Sequence, residues 1–248
     1  MSRILIPSTG MSFMFQPCPI ANEESLWDSF RSQLPFLTIF DPQSVTRMIR
    51  SLIDTQKHLG WLPDCRMSLC KGIDSTWFNT AWLTSTIGHT QGGSNADIVL
   101  ADGYVKGLND GIDWEAGYKA VQKDAEEEPY DWSSEGRGGL TSWRRLNYIP
   151  VQDFDYIGFG TMTRSISRTL EYAYDDYGIA QMAYGLNKLD DAEKYATTST
   201  YWENLFRRDQ KSFINGADSG FTGFFQPRFL NGTWGYQVSH RAQSVLRV

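Results

Sequence analysis

Acidic and aromatic side chains make up most of the chemically useful residues in this sequence. It contains 29 aspartates and glutamates but only 3 histidines. His58 closes a predicted helix, His89 lies in an unusual insert and His240 lies in the tail, so they do not indicate a nucleophilic triad. Paired carboxylates can act as acid and base on a glycosidic bond. Aromatic residues form 14% of the chain, and their rings can stack on the flat C–H faces of sugars. An aromatic-rich core would give the same composition, so composition alone leaves both interpretations open.

Other site chemistries have little support in the sequence. Cys18, Cys65 and Cys70 are too few for a disulfide framework, although one disulfide stays open, and they lack the partners that would complete a zinc site. The segment Gly158 to Gly160 lacks the βαβ context and third glycine of a dinucleotide loop. Asn109 to Gly111 lacks the spaced oxygen ligands of a calcium loop. We therefore expect no metal or nucleotide site in these residues.

Charge and hydropathy narrow the classes of partner. The 248 residues carry a net charge of -6 with a pI near 5.1, which disfavours nucleic acid because phosphate binding relies on a basic surface. No segment has the roughly 18 uncharged apolar residues that would cross a bilayer, so we expect no membrane partner. Residues 1–20 match a cleavable signal poorly, and the sequence leaves the localisation unknown.

Helical periodicity extends along most of the chain, and no region alternates for long enough to predict a sheet. A helix is predicted from Asp41-Pro42 to Gly60, with aspartate as the cap and proline in the first turn. A second begins at Ser94, with Asp97 completing a variant of the capping box. The other helices are predicted after Asp113, from Ile166 to about Leu186, and from Asp190 through Leu205. The fold class expected is therefore all-α.

The connections between these helices predict how they are arranged. Short connections alternate with elaborate ones, and the longest, Pro129 to Met162, is more typical of a functional loop than of a passive linker. This alternation indicates an α/α toroid, whose binding cleft lies at one end of the ring. A helical solenoid would look similar, but the sequence has no repeat of fixed period.

Several dense motifs occur in a fixed order. They are Gly60 to Ser68, Thr90 to Asp97, Ala101-Asp102, Lys106-Gly107 and Ser167 to Asp176. This series resembles glycoside hydrolase family 92, the exo-acting α-mannosidases that trim mannose from glycans, and the likeness extends from about Ser25 to Tyr236. The resemblance implies a hydrolase that removes terminal α-linked mannose from N-glycans with inversion, using calcium. It also implies mannose-containing glycans or glycoproteins as partners, and relatives that are often secreted and sometimes cytosolic.

The resemblance further implies that the chain covers about the first half of an (α/α)6 catalytic toroid. The family acid lies in a Glu-Gly motif beyond the Gly232 to Gly235 region, and the base and calcium ligands follow it. We therefore expect no catalytic residue and no bound calcium in residues 1–248. We expect an inactive truncated form, whose exposed half-ring self-associates.

Three segments depart from the family pattern. Residues 1–24 form an extension without the family's β-sandwich, residues 73–89 interrupt a continuous block and resemble a translated intron, and residues 238–248 form a divergent tail. The partial catalytic domain is expected at residues 25–237. Because the ends of the insert belong to adjacent blocks, we expect it to be a poorly packed excursion.

Six residues are candidates for contact with sugar: Trp27, Asp28, Arg31, Trp61, Asp64 and Arg137. Trp61 and Asp64 follow a helix end, where an α/α ring opens to its cleft. Asp64 could instead cap a turn, and Arg31 and Arg137 could pair with nearby acids. Asp102 and Glu171 are expected to support other residues, Asp102 through a bond between helices and Glu171 as a carboxylate behind the site.

Two alternatives to an enzyme remain open from the sequence. A remnant of the family could bind carbohydrate through its aromatic residues without hydrolysing it. A helical interaction scaffold would bind a partner helix and no sugar. Weak mannose binding without turnover would distinguish the first alternative from both an enzyme and a scaffold.

Overall fold

Helices form most of the described residues as far as Leu205, and a β-hairpin follows them. The computed structural model describes residues 26–63, 94–130, 132, 135–154 and 164–235. The helices are α1 (Leu26–Ser29), α2 (Gln33–Phe40), α3 (Pro42–Leu59), α4 (Asn95–Val105), α5 (Trp114–Glu126), α6 (Leu140–Leu146), α7 (Ser165–Gly185) and α8 (Leu189–Thr198), followed by a 3-10 helix (Tyr201–Leu205) and strands β1 (Phe206–Ile214) and β2 (Ala217–Phe225). The insert at 73–89 lies outside the described residues.

Helix α3 confirms the prediction made from its capping residues. The Asp41 carboxylate accepts a hydrogen bond from the Ser44 backbone N–H at 3.2 Å, and Pro42 occupies the first turn. Gly60 ends the helix with a φ of 92°, a left-handed conformation that glycine adopts at little cost. The chain therefore leaves α3 in a defined direction toward Trp61.

Helix α4 starts where the sequence predicted, but its first turn is held differently. The Ser94 side chain makes no capping hydrogen bond, so the predicted capping box is wrong. Asp97 is completely buried and bonds instead to Arg137 on another segment. A tertiary charge pair has replaced the local interaction, because α4 is enclosed by its neighbours along most of its length.

Helix α7 is the central element of the core and packs against α4, α5 and α8. At Gly178, an added Cβ would lie 2.9 Å from Ile98 Cδ1 and 3.0 Å from Ala101 Cβ, so glycine allows α4 and α7 to approach closely. The most deeply buried apolar residues of this core are Ile49, Leu100, Ala120, Val121, Ile179, Met182 and Ala183. A second apolar cluster contains Leu140, Trp143, Ile149, Tyr172 and Ala173.

The all-α prediction needs one correction, because β1 and β2 form an antiparallel two-stranded sheet. They are joined at Asn215-Gly216, both with positive φ, which is the dipeptide typical of a tight hairpin turn. The pairing contains register shifts between Arg207 and Phe213, so the strand sequence shows no clean alternation. The Asn-Gly dipeptide indicated the hairpin, whereas hydrophobic periodicity did not.

Two helix boundaries also differ from the prediction. The long segment that begins at Pro129 contains α6 (Leu140–Leu146), which lies between Gly139 and Asn147, both with positive φ. The helix expected through Leu205 ends at Thr198 and is followed by a 3-10 turn. Within the described ranges, no helix is long and apolar enough to cross a membrane.

Candidate functional site

Three of the residues singled out in the sequence come together beside α1. The Arg31 guanidinium donates a hydrogen bond from Nη2 to Glu171 Oε1 at 2.6 Å. Its Cζ lies 4.9 Å from the centre of the Trp27 ring and 4.5 Å from the centre of the Phe30 ring. The Arg31 side chain keeps half of its surface exposed, whereas that of Glu171 keeps 9%. We call Trp27, Arg31 and Glu171 the arginine site.

The arginine site has the chemistry expected of a carbohydrate contact. A charged fork of N–H donors lies beside an indole ring, so hydroxyl recognition and ring stacking could occur together. Burial raises the pKa of Glu171, and the Arg31 hydrogen bond and charge oppose that shift. Glu171 Oε2 is buried and accepts no hydrogen bond from the described residues. Glu171 thus fixes the orientation of Arg31.

Trp61 lies in the turn after α3, as predicted, and packs against α5. The Lys123 ammonium lies 4.3 Å from the centre of the Trp61 ring and donates a hydrogen bond to the Gly60 carbonyl at 2.8 Å. Trp61 also approaches the Gly136 backbone, where an added Cβ would lie 3.2 Å from the ring. These contacts fix the segment that leads to Asp64, which itself lies outside the described residues.

Arg137 lies in the interior and is surrounded by aspartates. Its Nη1 lies 2.6 Å from Asp176 Oδ1, its Nη2 lies 2.9 Å from Asp97 Oδ2, and its Nε lies 3.9 Å from Asp175 Oδ2. The Arg137 side chain has no exposed surface. The pairing with nearby acids that the sequence left open is the arrangement found here. Because these acids lie on α4 and α7, Arg137 joins the two helices.

A fourth aspartate, Asp124 of α5, completes what we call the buried aspartate cluster, namely Asp97, Asp124, Asp175 and Asp176 around Arg137. Neither Asp124 oxygen accepts a hydrogen bond from the described residues. Burial, and secondarily the Asp97 charge, raises the pKa of Asp124 well above its ordinary value. Burial also raises the pKa of Asp175, although Arg137 opposes that shift. Three carboxylates therefore share one guanidinium while Asp124 makes no ion pair with it, and burial favours protonated Asp124 and Asp175.

The remaining candidates have different surroundings. Asp102 accepts a hydrogen bond at 2.7 Å from Lys106, the residue that follows α4, and Lys106 also donates to the Pro35 carbonyl on α2 at 3.2 Å. The bond to another helix that was expected of Asp102 is therefore made by Lys106 and not by Asp102 itself. The backbone of Asp28 lies in α1, while its side chain is outside the described structure. The ligand roles of all these residues stay predictions.

Sequence reasoning missed an aromatic and cationic stack next to Arg137. The Trp132 ring lies 4.8 Å from the Arg168 guanidinium and 5.5 Å from that of Arg164. At Gly138, an added Cβ would lie 1.9 Å from the Trp132 ring, so no larger residue fits without moving the tryptophan. The glycine that follows Arg137 was the available signal, because glycine permits a close approach of this kind.

The described residues do not fit the calcium that the family resemblance implies. No group of three or more His, Cys, Asp or Glu side chains within the described ranges could hold a metal ion. Three carboxylates of the buried aspartate cluster are directed at the Arg137 guanidinium. We therefore derive no step through calcium from these residues.

The sequence matches one family model over most of its length. Residues 19–245 match the family model of the glycosyl hydrolase family 92 catalytic domain. An uncharacterized secreted glycosidase of Arthroderma benhamiae is 52% identical over 224 residues, which are 90% of this chain and 25% of that protein. The chain thus spans about a quarter of that relative's length.

Two solved structures from Bacteroides thetaiotaomicron are similar. The family GH92 alpha-mannosidase BT3965, in complex with mannoimidazole, has a TM-score of 0.60 and 25% identity, covering 86% of this chain and 23% of that one. The family GH92 inverting mannosidase BT2199 has a TM-score of 0.64 at 23% identity, covering 87% and 24%, a likeness that shows the fold. Since the family match covers most of the sequence, the chain belongs to glycosyl hydrolase family 92.

Proposed function

We propose that this chain is part of the catalytic domain of an α-mannosidase that removes terminal α-linked mannose from glycans such as N-glycans. The observation that carries the proposal is the likeness of 86% of the chain to an α-mannosidase solved with mannoimidazole. The family match over residues 19–245 supports the same reaction class. Because the chain spans about a quarter of these relatives, the activity belongs to the whole protein.

The architecture we propose is part of an (α/α)6 toroid. The succession of helices and the packing of α7 against α4, α5 and α8 support it. In such a ring, loops at one end of the helices form the binding cleft. Trp61 in the turn after α3 is proposed to line that cleft together with Asp64.

The proposed reaction proceeds with inversion and needs two carboxyl groups. One protonates the leaving oxygen and the other activates water, about 6.5 to 9.5 Å away. The members of the buried aspartate cluster have at most 2% of their surface exposed, so they do not reach a sugar. We propose that the acid and the base lie outside these 248 residues and that the chain alone does not hydrolyse mannosides.

The arginine site is the proposed contribution of this chain to substrate binding. Arg31 has exposed donors for sugar hydroxyls, Trp27 provides a ring beside them, and Glu171 fixes the guanidinium. Asp28 and Trp61 are proposed as further contacts. Arg137, which the sequence also gave as a candidate contact, is proposed to stabilise the helices around it.

The test is an assay on a polypeptide that carries these residues together with the remaining length of its relatives. We expect release of mannose from an α-mannoside, with the β-anomer as the first product by NMR, and little release from an α-glucoside. Arg31→Ala should raise KM more than it lowers kcat, because it removes a binding contact. Absence of mannose release, with the fold intact by circular dichroism, would contradict the proposal.

The arginine site would equally serve binding without hydrolysis, which is the second candidate function. Its exposed guanidinium and indole are binding groups, and neither is an acid or base at neutral pH. Binding of mannosides by the long polypeptide without any turnover would favour this candidate over the enzyme.

A further inference from the structure

A tight turn at residues 229–233 carries a motif that the proposed function leaves unused. The Phe229 N–H donates to the Thr233 carbonyl, and the Gly232 N–H donates to the Phe229 carbonyl, both at 2.9 Å. Gly232 has a φ of 80°. This is a type I turn followed by a bulge residue in the left-handed conformation, which favours glycine at that position.

Asn231 lies at the tip of this turn, and its side chain is fixed by Thr233. Asn231 Oδ1 accepts hydrogen bonds from the Thr233 backbone N–H at 3.0 Å and from Thr233 Oγ1 at 2.7 Å. Both residues are exposed. Among the described residues, no hydrogen bond uses Asn231 Nδ2. The amide nitrogen is therefore accessible, and the hydroxyl two positions later is already in contact with the same amide group.

Asn231-Gly232-Thr233 is also the only Asn-x-Ser or Asn-x-Thr triplet in the 248 residues. This triplet is the acceptor for N-linked glycans, and it requires a surface turn in a secreted protein. The other exposed Asn-Gly turn, Asn215-Gly216, is followed by Ala217 and has no hydroxyl at the required position. The chain thus offers one acceptor and one closely matched non-acceptor.

We propose that Asn231 is N-glycosylated. In the transfer, a bond forms between Asn231 Nδ2 and C1 of the first sugar, and the bond from C1 to the pyrophosphate of a lipid-linked oligosaccharide breaks. The amide gives up one proton, and the lipid pyrophosphate leaves. The co-reactant is the lipid-linked oligosaccharide of the secretory route, and the site is used when the chain enters that route.

The turn also places an aromatic ring where the first sugar can pack on it. Phe229 lies two residues before Asn231 and pairs through its backbone with Thr233, so the three residues occupy alternate positions of one short turn. A sugar attached to Asn231 can present its C–H face to the Phe229 ring, which is partly exposed. The glycan therefore stabilises the folded turn in addition to covering it.

The turn is attached firmly enough to transmit that stabilisation to the fold. The Arg228 guanidinium donates to the Gly232 carbonyl at 3.0 and 3.1 Å and to the Asn204 carbonyl at 3.1 Å. Its Cζ lies 4.8 Å from the centre of the Trp234 ring and 5.1 Å from that of Tyr148.

Two further bonds connect the turn to the segment after α6. Tyr148 donates to the Phe229 carbonyl at 2.8 Å, and Gln152 Oε1 accepts from the Leu230 N–H at 2.9 Å. The turn is thus held from both sides, unlike a free loop tip. A gain in the order of the turn will appear as a higher melting temperature of the chain.

The test expresses the full chain behind a cleavable secretion leader in a eukaryotic host. Peptide:N-glycosidase F is applied to the whole-cell and secreted pools in ¹⁸O-water, and the tryptic peptide of residues 229–241 is analysed by mass spectrometry. We expect ¹⁸O-labelled aspartate at position 231 in the enzyme-treated sample and not in a parallel ¹⁸O-water incubation without enzyme, which distinguishes glycan removal from spontaneous Asn-Gly deamidation. Asn231→Gln and Thr233→Ala should abolish the label, and Thr233→Ser should retain it.

Ala217→Thr is the matched positive control, because it creates a second acceptor at the other exposed Asn-Gly turn. Its modification shows that the chain has reached the transferase. Modification at 215 in this variant with none at 231 would overturn the proposal. Asn215→Gln in the parent chain should leave glycosylation unchanged.

The stacking part of the proposal has a separate readout. Glycosylated chain should melt at a higher temperature than Asn231→Gln, and Phe229→Ser should remove most of that difference while keeping the acceptor triplet. An equal glycan-dependent shift with and without Phe229 would contradict stacking. Neither result depends on mannosidase activity, so failure here and failure of the proposed function are distinguishable.

Discussion

Arg31 Nη2 lies 2.6 Å from Glu171 Oε1, although the two residues are 140 positions apart in the sequence. The bond connects the turn between α1 and α2 to the second turn of α7. It also joins a residue predicted to contact sugar to one predicted to support such a contact. The exposed guanidinium is therefore held by a carboxylate that is itself almost completely buried.

We expect this bond to couple the two residues energetically. In a double-mutant cycle with Arg31→Ala and Glu171→Gln, the coupling in the free energy of unfolding should be about 1 kcal/mol, because one partner is half exposed. Urea denaturation measures it. The control is the pair Lys57 and Asp113, which lie 3.0 Å apart and have side chains that are 47% and 56% exposed. This pair should show nearly no coupling free energy. Additive losses for Arg31 and Glu171 would contradict the coupling.

Arg137 should be the most sensitive cation in the described structure. Arg137→Met leaves several buried carboxylates without their counter-charge and should cost about 3 to 5 kcal/mol of stability. Arg137→Lys should also destabilise, since a lysine lacks the planar fork that reaches Asp97 and Asp176 together. Thermal denaturation measures both. Arg145→Met on the exposed face of α6 is the control, and a similar loss there would show that the effect is not specific to the buried cluster.

Asp124 should make the stability of the chain depend on pH. Its pKa is raised in the folded state by burial, with Asp97 and Glu135 raising it further and Arg137 and Lys123 opposing the shift. The folded state therefore keeps a proton that the unfolded chain releases above about pH 4. Stability is lost as the pH rises from that value through the folded pKa.

Asp124→Asn should flatten part of this decline, because asparagine releases no proton. Urea denaturation at a series of pH values measures the effect, and the variant should gain stability relative to the parent as the pH rises. Asp175, whose pKa is also raised, would supply the remaining slope. Parallel curves for the parent and Asp124→Asn would show that Asp124 is ionised in the folded chain.

Exposed apolar residues on α2 should promote self-association. Phe36, Ile39 and Phe40 keep 56 to 71% of their surface exposed, and the two phenylalanine rings stack with centres 4.3 Å apart. Ile39→Lys with Phe40→Lys should shift the chain toward monomer in sedimentation velocity, because exposed apolar patches drive association. Phe213→Lys, the same kind of change at an exposed apolar residue of the hairpin, is the control variant. Parent chain that is already monomeric at high concentration would contradict this prediction.

The sequence predicted the long helices well because their signals are local. The cap at Asp41, the stop at Gly60 and the apolar spacing of α7 each act within one or two turns. The hairpin was missed because its strands do not alternate, and its signal was confined to Asn215-Gly216. Periodicity measures burial on one face, and these strands bury little.

The sequence identified individual site residues but not the contacts between them, because those contacts depend on tertiary packing. Trp27, Arg31 and Glu171 were singled out individually, but their proximity depends on how α1 meets α7, which no local pattern specifies. The role of Asp97 was misread, since a capping position in the sequence became an interior partner of Arg137. Tertiary packing decided both outcomes.

The most direct test of the account is saturation-transfer NMR of methyl α-mannoside with the 248-residue chain, because one spectrum reports both binding and any released mannose. We expect saturation transfer to the mannoside, a clear loss of it in Arg31→Ala, and no free mannose with or without calcium. Transfer that is unchanged in Arg31→Ala, or calcium-dependent release of mannose by the chain alone, would contradict the account.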